Sequence, residues 1–391
     1  MQAAQLTEQI QIRVQQHQVL LDQWLVTIDA IQLLRLDHQM RLLENEVQQL
    51  EATTYMQPSK AAGIKATLTF TLPPHQVESL LLKWVPHASG EYVVESNYPS
   101  WQPVRLSTTE ITTINDGIAL FDMLFGKNNA SVYSEWLEQA YQAGARPQIQ
   151  VVSDGQPSIL QLPWTQLNNG QHPLVPCKGI SLFHRLPTLD QAIPTFSKGQ
   201  LRILLSTSGD VNTTYDREII DKLVHDFPHL ISVREVNNSN PARLINAIVS
   251  AQRRGYPFHI WHHHGVVMDD NGTLTFKMQG KAICLSDISK LAKEVGLFLL
   301  WSELDVNTSP QMVAEQAATI SAPMLLHILQ TDADSIHREF LRVFYMTSII
   351  KPIDEGLIRA IERIYTIDPD SDLWKTVKLY TRTDTPSLIA K

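Results

Sequence analysis

Leu201-Arg202-Ile203-Leu204-Leu205-Ser206 decides the fold. A nearly continuous apolar run of this length has the character of a strand buried on both faces of a parallel sheet. Thr207-Ser208-Gly209-Asp210 follows as a turn, and residues 215–227 as an amphipathic helix. The same alternation continues downstream. Residues 258–262 read as a strand, 287–294 as a helix, 297–301 (LFLLW) as a buried strand, 312–319 as a helix and 324–329 as a strand. Upstream, residues 148–152 read as a further strand. Strands alternating with helices predict a doubly wound, mainly parallel α/β sheet.

Before this half the texture differs. Residues 64–72 (IKATLTFTL) alternate as a strand and end at Pro73-Pro74. Residues 76–84 contain a short apolar run, and Tyr92-Val93-Val94 is another strand candidate. Residues 115–125 and 131–142 read as helices. Residues 64–145 therefore form a small α/β connector, and nothing in it reads as catalytic.

The first fifty residues are one sustained helical signal. Residues 3–51 hold no Gly or Pro and are rich in Gln, Leu and Glu, mostly good helix formers. Ile10, Val14, Leu21, Trp24, Ile28 and Ile31 follow a 4-3 spacing, with His17 filling one position of the seam. Leu33, Leu36, Met40, Leu43, Val47 and Leu50 follow it in a second register. Two such seams predict a coiled coil over residues 1–52 through which the chain pairs with itself. The register break at 29–33 fits either one long helix with a discontinuity or a hairpin turning near residues 27–29. Residues 53–63, with Pro58 and Gly63, read as a linker.

Composition narrows the function classes. The chain has 391 residues, a net charge of -8 and 43% hydrophobic residues. This balance argues against a broad footprint for nucleic acid or an anionic membrane, while leaving room for a local basic patch. The N-terminus lacks the basic start and apolar core of a signal peptide, and no apolar run reaches the roughly 18 residues of a membrane span. The expected location is the cytoplasm. Two isolated cysteines, Cys177 and Cys284, frame neither a disulfide set nor a zinc site; each reads as a small buried hydrophobe. No G-x-S-x-G, Walker A, G-x-G-x-x-G or H-E-x-x-H pattern occurs, and no cofactor is expected. His262 and His264 would share one face of a strand and could ligate a metal, but no third ligand is evident, so no metal is expected. Asp305, Asp332 and Asp334 read as loop and cap residues.

Several segments, in order, resemble CHAT domains, bacterial relatives of caspases and separases. Leu162-Pro163-Trp164-Thr165-Gln166-Leu167 is similar to the family's L-P-W-E-x-L element, with Thr165 where Glu is usual. His184-Arg185-Leu186-Pro187, residues 201–210 with Asp216 and Glu218, and Phe258-His259-Ile260-Trp261-His262 resemble the elements that follow. Ser321-Ala322-Pro323, residues 340–345, Asp354-Glu355-Gly356-Leu357 and Leu379-Tyr380-Thr381-Arg382 continue the match. The resemblance spans about residues 64–391 and implies a caspase-like domain over 146–391.

Active members of that family use a histidine at the end of one strand to activate a cysteine at the end of the next, because the thiolate is the nucleophile. Matched without gaps, the resemblance places the histidine position at Val266 and the cysteine position at Glu303. A two-residue deletion would instead place His264-Gly265 on the His-Gly pair. No cysteine follows Cys284 in either case. The expectation is a pseudo-peptidase without catalytic residues, whose degenerate pocket holds His262, His264, Gly265, Ser302, Glu303 and Asp305. The family context implies a regulatory scaffold that binds a protein partner, a protease or effector, in bacterial defence or cell-death signalling. The alternatives are an active cysteine endopeptidase pairing His264 or His262 with Cys284, and a purely structural assembly protein.

Overall fold

The computed structural model describes residues 77–383, apart from several short stretches, and scattered positions between 9 and 46. The chain forms two compact units, residues 1–75 and 76–391. Ile10, Val14, Leu21, Trp24, Ile28, Ile31, Leu33, Leu36, Met40, Leu43, Val47 and Leu50 lie outside the described residues, as do the expected strand at 64–72, the linker, Asp305 and Asp332. In the first unit, Arg13 Nε lies 2.7 Å from Glu46 Oε2, and both residues are helical. One straight helix would hold them ~50 Å apart, at ~1.5 Å per residue.

The second unit begins with a meander, β1 (Val77–Pro86), β2 (Glu91–Ser96) and β3 (Val104–Ser107). Three helices follow: α1 (Thr108–Thr113), α2 (Gly117–Phe125) and α3 (Ala130–Gln142). Their starts are locally encoded. Ser107 and Glu110 form a capping box at α1, and Asp116 accepts the Ala119 N–H at 2.8 Å to open α2. Next come β4 (Arg146–Val152), α4 (Pro157–Leu160), a 3-10 turn (Trp164–Gln166), α5 (Leu174–Lys178) and β5 (Ser181–Arg185).

The doubly wound half runs β6 (Leu201–Ser208), α6 (Thr214–Asp226), β7 (Ile231–Val236), α7 (Pro241–Arg253) and β8 (Ile260–Asp270). A hairpin, β9 (Thr273–Met278) and β10 (Lys281–Cys284), leads to α8 (Leu285–Ala292) and β11 (Leu297–Leu304). The chain closes with β12 (Met324–Leu329), α9 (Asp334–Ser348), α10 (Ile353–Ile367), α11 (Asp372–Thr376) and β13 (Lys378–Thr381).

All of these strands join one thirteen-stranded, mostly parallel sheet. Its spine is β10-β9-β8-β11-β12-β13-β5-β4-β1-β2-β3, and β7-β6 attaches to β8 as a side branch. The expected α/β architecture is present, and the sheet runs from the meander through the parallel pairs β1·β4, β4·β5 and β5·β13 into the doubly wound half. β8 forks the sheet. Residues 260–265 of β8 pair with β6, and residues 267–270 pair with β9 on the same edge. The hairpin thus takes the place that β6 vacates after Ser208.

Side-chain alternation along β8 divides the core in two. Trp261 packs with Phe298, Leu300, Leu244, Ala247, Ile248 and Ile288, so α7 and α8 cover that face. His262 and His264 face α9 and α6 through Tyr345 and Asp216. The strand at 258–262 was expected to be short, yet it continues to Asp270 and doubles back. The signal for this is Asn271-Gly272, a dipeptide suited to two-residue hairpins. β7 and α7 were also not anticipated: Arg234 and Glu235 interrupt the apolar run of the one, whereas the other carries a regular stripe, Leu244, Ala247, Ile248 and Ala251, that signals an amphipathic helix and was missed.

Gly117 marks a close approach in the connector. A Cβ there would sit on the carbonyl oxygen of Gln166 in the 3-10 turn, and the Gly117 carbonyl accepts the Asn168 N–H at 3.1 Å. Backbone on both sides leaves no flexible side chain to yield. Gly117→Ala is expected to destabilise the fold by about 3 kcal/mol, at the upper end of overpacking costs, read as a lowered urea midpoint.

Candidate functional site

The strand order reverses between β6 and β8, with β7 on one side and β11 on the other. In open α/β sheets, ligands bind outside the carboxyl ends of the strands at such a reversal. Of the expected pocket residues, His262, His264 and Gly265 lie on β8 and Ser302 and Glu303 on β11, while Asp305 lies outside the described residues.

Three consecutive histidines on β8 enter different surroundings. His263 points to the α7/α8 face. Its Nδ1 lies 2.8 Å from Ser206 Oγ and its Nε2 3.1 Å from Ser208 Oγ, while Trp261 donates from its indole to Ser206 Oγ at 2.7 Å. Phe276 of the hairpin stands edge-on to the His263 ring at 4.9 Å. Burial pushes His263 down to about 3, with the neighbouring His264 and His262 adding to the shift. His262, on the opposite face, has Nδ1 2.9 Å from the Tyr345 hydroxyl, and its buried Nε2 has no hydrogen-bond partner. Burial, only partly offset by Asp216, lowers His262 to about 4.

His264 differs from both. Its Nδ1–H donates to Asp216 Oδ2 at 2.6 Å, and Nε2 lies 3.3 Å from Glu303 Oε1. Its side chain and that of Asp216 are 0% exposed, whereas Glu303 is 32% exposed at the sheet's end. Burial alone would lower His264, but hydrogen bonds and charge from Asp216 and Glu303 outweigh it and raise the imidazole to about 9. Of the three histidines only this one is charged at neutral pH. Trp301 and Tyr215 wall it in, with ring centroids at 6.0 and 5.9 Å.

Val266 and Glu303 are direct partners across the parallel β8·β11 pair. Ser302, next to Glu303, points to the other face, where its hydroxyl lies 3.4 Å from His327 Nε2. The site therefore brings His264 and Glu303 together and separates Ser302 from them. Gly265 is fixed by space. A Cβ there would collide with the Ser208 hydroxyl that bonds His263. Asp216 was anticipated only as part of an acidic helix start. Its place in the first turn of α6, two residues after that helix begins, is what aims its carboxylate at β8.

The cysteines correct the sequence reading. Neither is a fully buried hydrophobe: Cys177 is exposed and Cys284 half-buried. Cys284 ends β10, level with Thr275 of β9 and through it with Met268 of β8. It thus lies two strands to the side, about 10 Å, and well beyond His264 along β8. Among the described residues no group of three His, Cys, Asp or Glu side chains is arranged to hold a metal, and no helix is long and apolar enough to cross a membrane.

No protein-family model and no curated protein matches this sequence. The chemistry of the site has to be read from its own groups. A histidine with both ring nitrogens engaged by carboxylates, and held protonated, has no lone pair to act as a general base. Glu303 beside it is an acceptor locked in an ion pair.

The sign of the pH dependence follows. The folded imidazole is raised above its unfolded value of about 6.5, so the clamp stabilises fully below that value and is lost as pH rises through about 9. Over the same range Lys378, held down to about 8 by burial, adds stability as pH rises, so the clamp is read as a difference. The stability gap between wild type and His264→Gln in urea is expected to shrink by on the order of 3 kcal/mol between pH 6.5 and 9.5, with wild type the more stable at pH 6.

Proposed function

We propose that this chain is a catalytically inert, caspase-like protein that binds a protein partner and acts as an oligomeric scaffold or regulatory subunit. The observation that carries the reading is the clamped His264. The two positions assigned to the dyad by the CHAT resemblance face each other across neighbouring strands, but they hold Val266 and Glu303. The nearest histidine is an imidazolium fixed between Asp216 and Glu303. A thiolate and a base within hydrogen-bond reach are the minimum for this chemistry, and Cys284 is too far to the side to supply the first. Binding and chemistry use separate groups, so a pocket at the strand ends can keep a partner after catalysis is gone. By the same resemblance the partner is a protease or effector in bacterial defence or cell-death signalling.

The experiment is a cleavage and capture assay with purified full-length protein, using proteins encoded beside its gene. Wild type and Cys284→Ala are both expected to leave every candidate intact, and one neighbour is expected to co-purify. Glu303→Gln, which removes the half-buried charge at the rim of the site but keeps an oxygen to accept from His264, is expected to weaken that capture at least about tenfold, the effect of roughly 1.4 kcal/mol. Cleavage by wild type that vanishes in Cys284→Ala would instead establish a cysteine endopeptidase.

Self-association is assigned to the heptad seams. Light scattering of the full chain is expected to give a multiple of the 44.3 kDa monomer mass, and Leu36→Asp with Leu43→Asp to return it to a monomer. An unchanged mass in that variant places the contact elsewhere.

A further inference from the structure

A second buried polar cluster lies on the other side of β12, where the two parts of the sheet meet. β5 and β13 register at only two positions, His184↔Tyr380 and Arg185↔Thr381. One more bond, from Leu186 N–H to the Thr381 carbonyl at 2.8 Å, extends this junction past the carboxyl ends. Toward their amino ends the strands part, and a cavity opens between them. It is lined by Leu182 and His184 of β5, Lys378 of β13, Asp354 and Ile358 of α10, and Thr165 of the 3-10 turn. There is room in it for about one water-sized sphere.

The polar groups around it are incompletely satisfied. Asp354, 1% exposed, uses Oδ2 to accept from Arg146 Nη2 at 2.6 Å, Ser181 Oγ at 2.8 Å and Gln148 Nε2 at 3.1 Å. Its Oδ1 has no partner. His184, also 1% exposed, has no partner at Nδ1. Burial, with a contribution from Lys378, pushes it down to about 3, so it is neutral. Lys378 donates one N–H to the Leu160 carbonyl at 2.5 Å and has two more to offer. Leaving a buried donor or acceptor unmade costs about 1–3 kcal/mol, and more for charged groups. Native interiors meet such demands with protein or ordered water.

The chemistry of the lining selects the occupant. The Asp354 carboxylate repels an anion. The Lys378 ammonium repels a cation. A neutral imidazole can serve as donor or acceptor. The occupant has to be neutral, able both to donate and to accept, and no larger than a single small molecule.

We infer that this cavity binds one internal water molecule, which donates to Asp354 Oδ1, a carboxylate already held by β4 and β5, accepts from Lys378 Nζ of β13, and so bridges the two halves of the sheet where their own hydrogen bonds lapse. A crystal structure of the full chain that resolves ordered water tests this. It is expected to show one sphere of density about 2.8 Å from both Asp354 Oδ1 and Lys378 Nζ. An empty cavity, or a cavity closed by side chains with Asp354 Oδ1 bonded to protein, overturns the inference. A solution test uses water oxygen-17 relaxation dispersion on full-length wild type and Val175→Ile, which adds a methylene to the cavity wall. One fewer long-lived water in the folded variant is expected, and equal counts overturn the proposal. Neither measurement depends on cleavage or capture, so the outcome is independent of the function proposed for the strand ends.

Discussion

Everything in the second unit is arranged around the alternation of β8. A strand must send consecutive side chains to opposite faces, and β8 is buried on both along most of its length. Three adjacent histidines therefore cannot act as one cluster. The middle ring joins two serines and a tryptophan under α7 and α8, while the outer two meet tyrosine and aspartate under α9 and α6. Identical side chains end in different charge states, because burial, chiefly, neutralises two of them and two carboxylates overrule burial at the third.

That third histidine explains how a charged group is tolerated in the centre of a core. An isolated buried ion is very costly, and partners with additional hydrogen bonds make it acceptable. Asp216 supplies the short bond, and Glu303 supplies a second contact from the rim. Breaking either contact leaves a buried charge without compensation, which destabilises far more than losing a surface pair. The arrangement favours a fixed geometry over reactivity.

Much of the sheet was legible in the sequence for a simple reason. Strands buried on both faces, such as β6, β11 and β12, are written as short, nearly continuous apolar runs bounded by polar residues. What escaped was written in other signals. β7 is an edge strand carrying Arg234 and Glu235, so its pattern is diluted by charge. The β8–β9 hairpin is announced by two residues, Asn271-Gly272, and not by periodicity. At the site, the histidines and Glu303 were picked out, but the roles within the group were not. Which histidine meets Asp216 depends on strand register and on where α6 begins, and neither is encoded near residue 264. The burial expected for both cysteines followed from residue type alone, and position in the fold overrode it.

The narrow junction of β5 with β13 has a mechanical meaning. One part of the sheet contains the strand nearest the start of this unit, β1, and the other contains the last strand, β13. Along the sheet itself, a load applied between those two strands crosses its shortest join at two registered residue pairs, whereas the neighbours β4·β5 and β12·β13 share five and four. What the ladder lacks there, side chains supply: the Asp354 carboxylate of α10 grips Arg146, Gln148 and Ser181 of β4 and β5, so the seam is carried by a rivet of charge and not by backbone pairing alone.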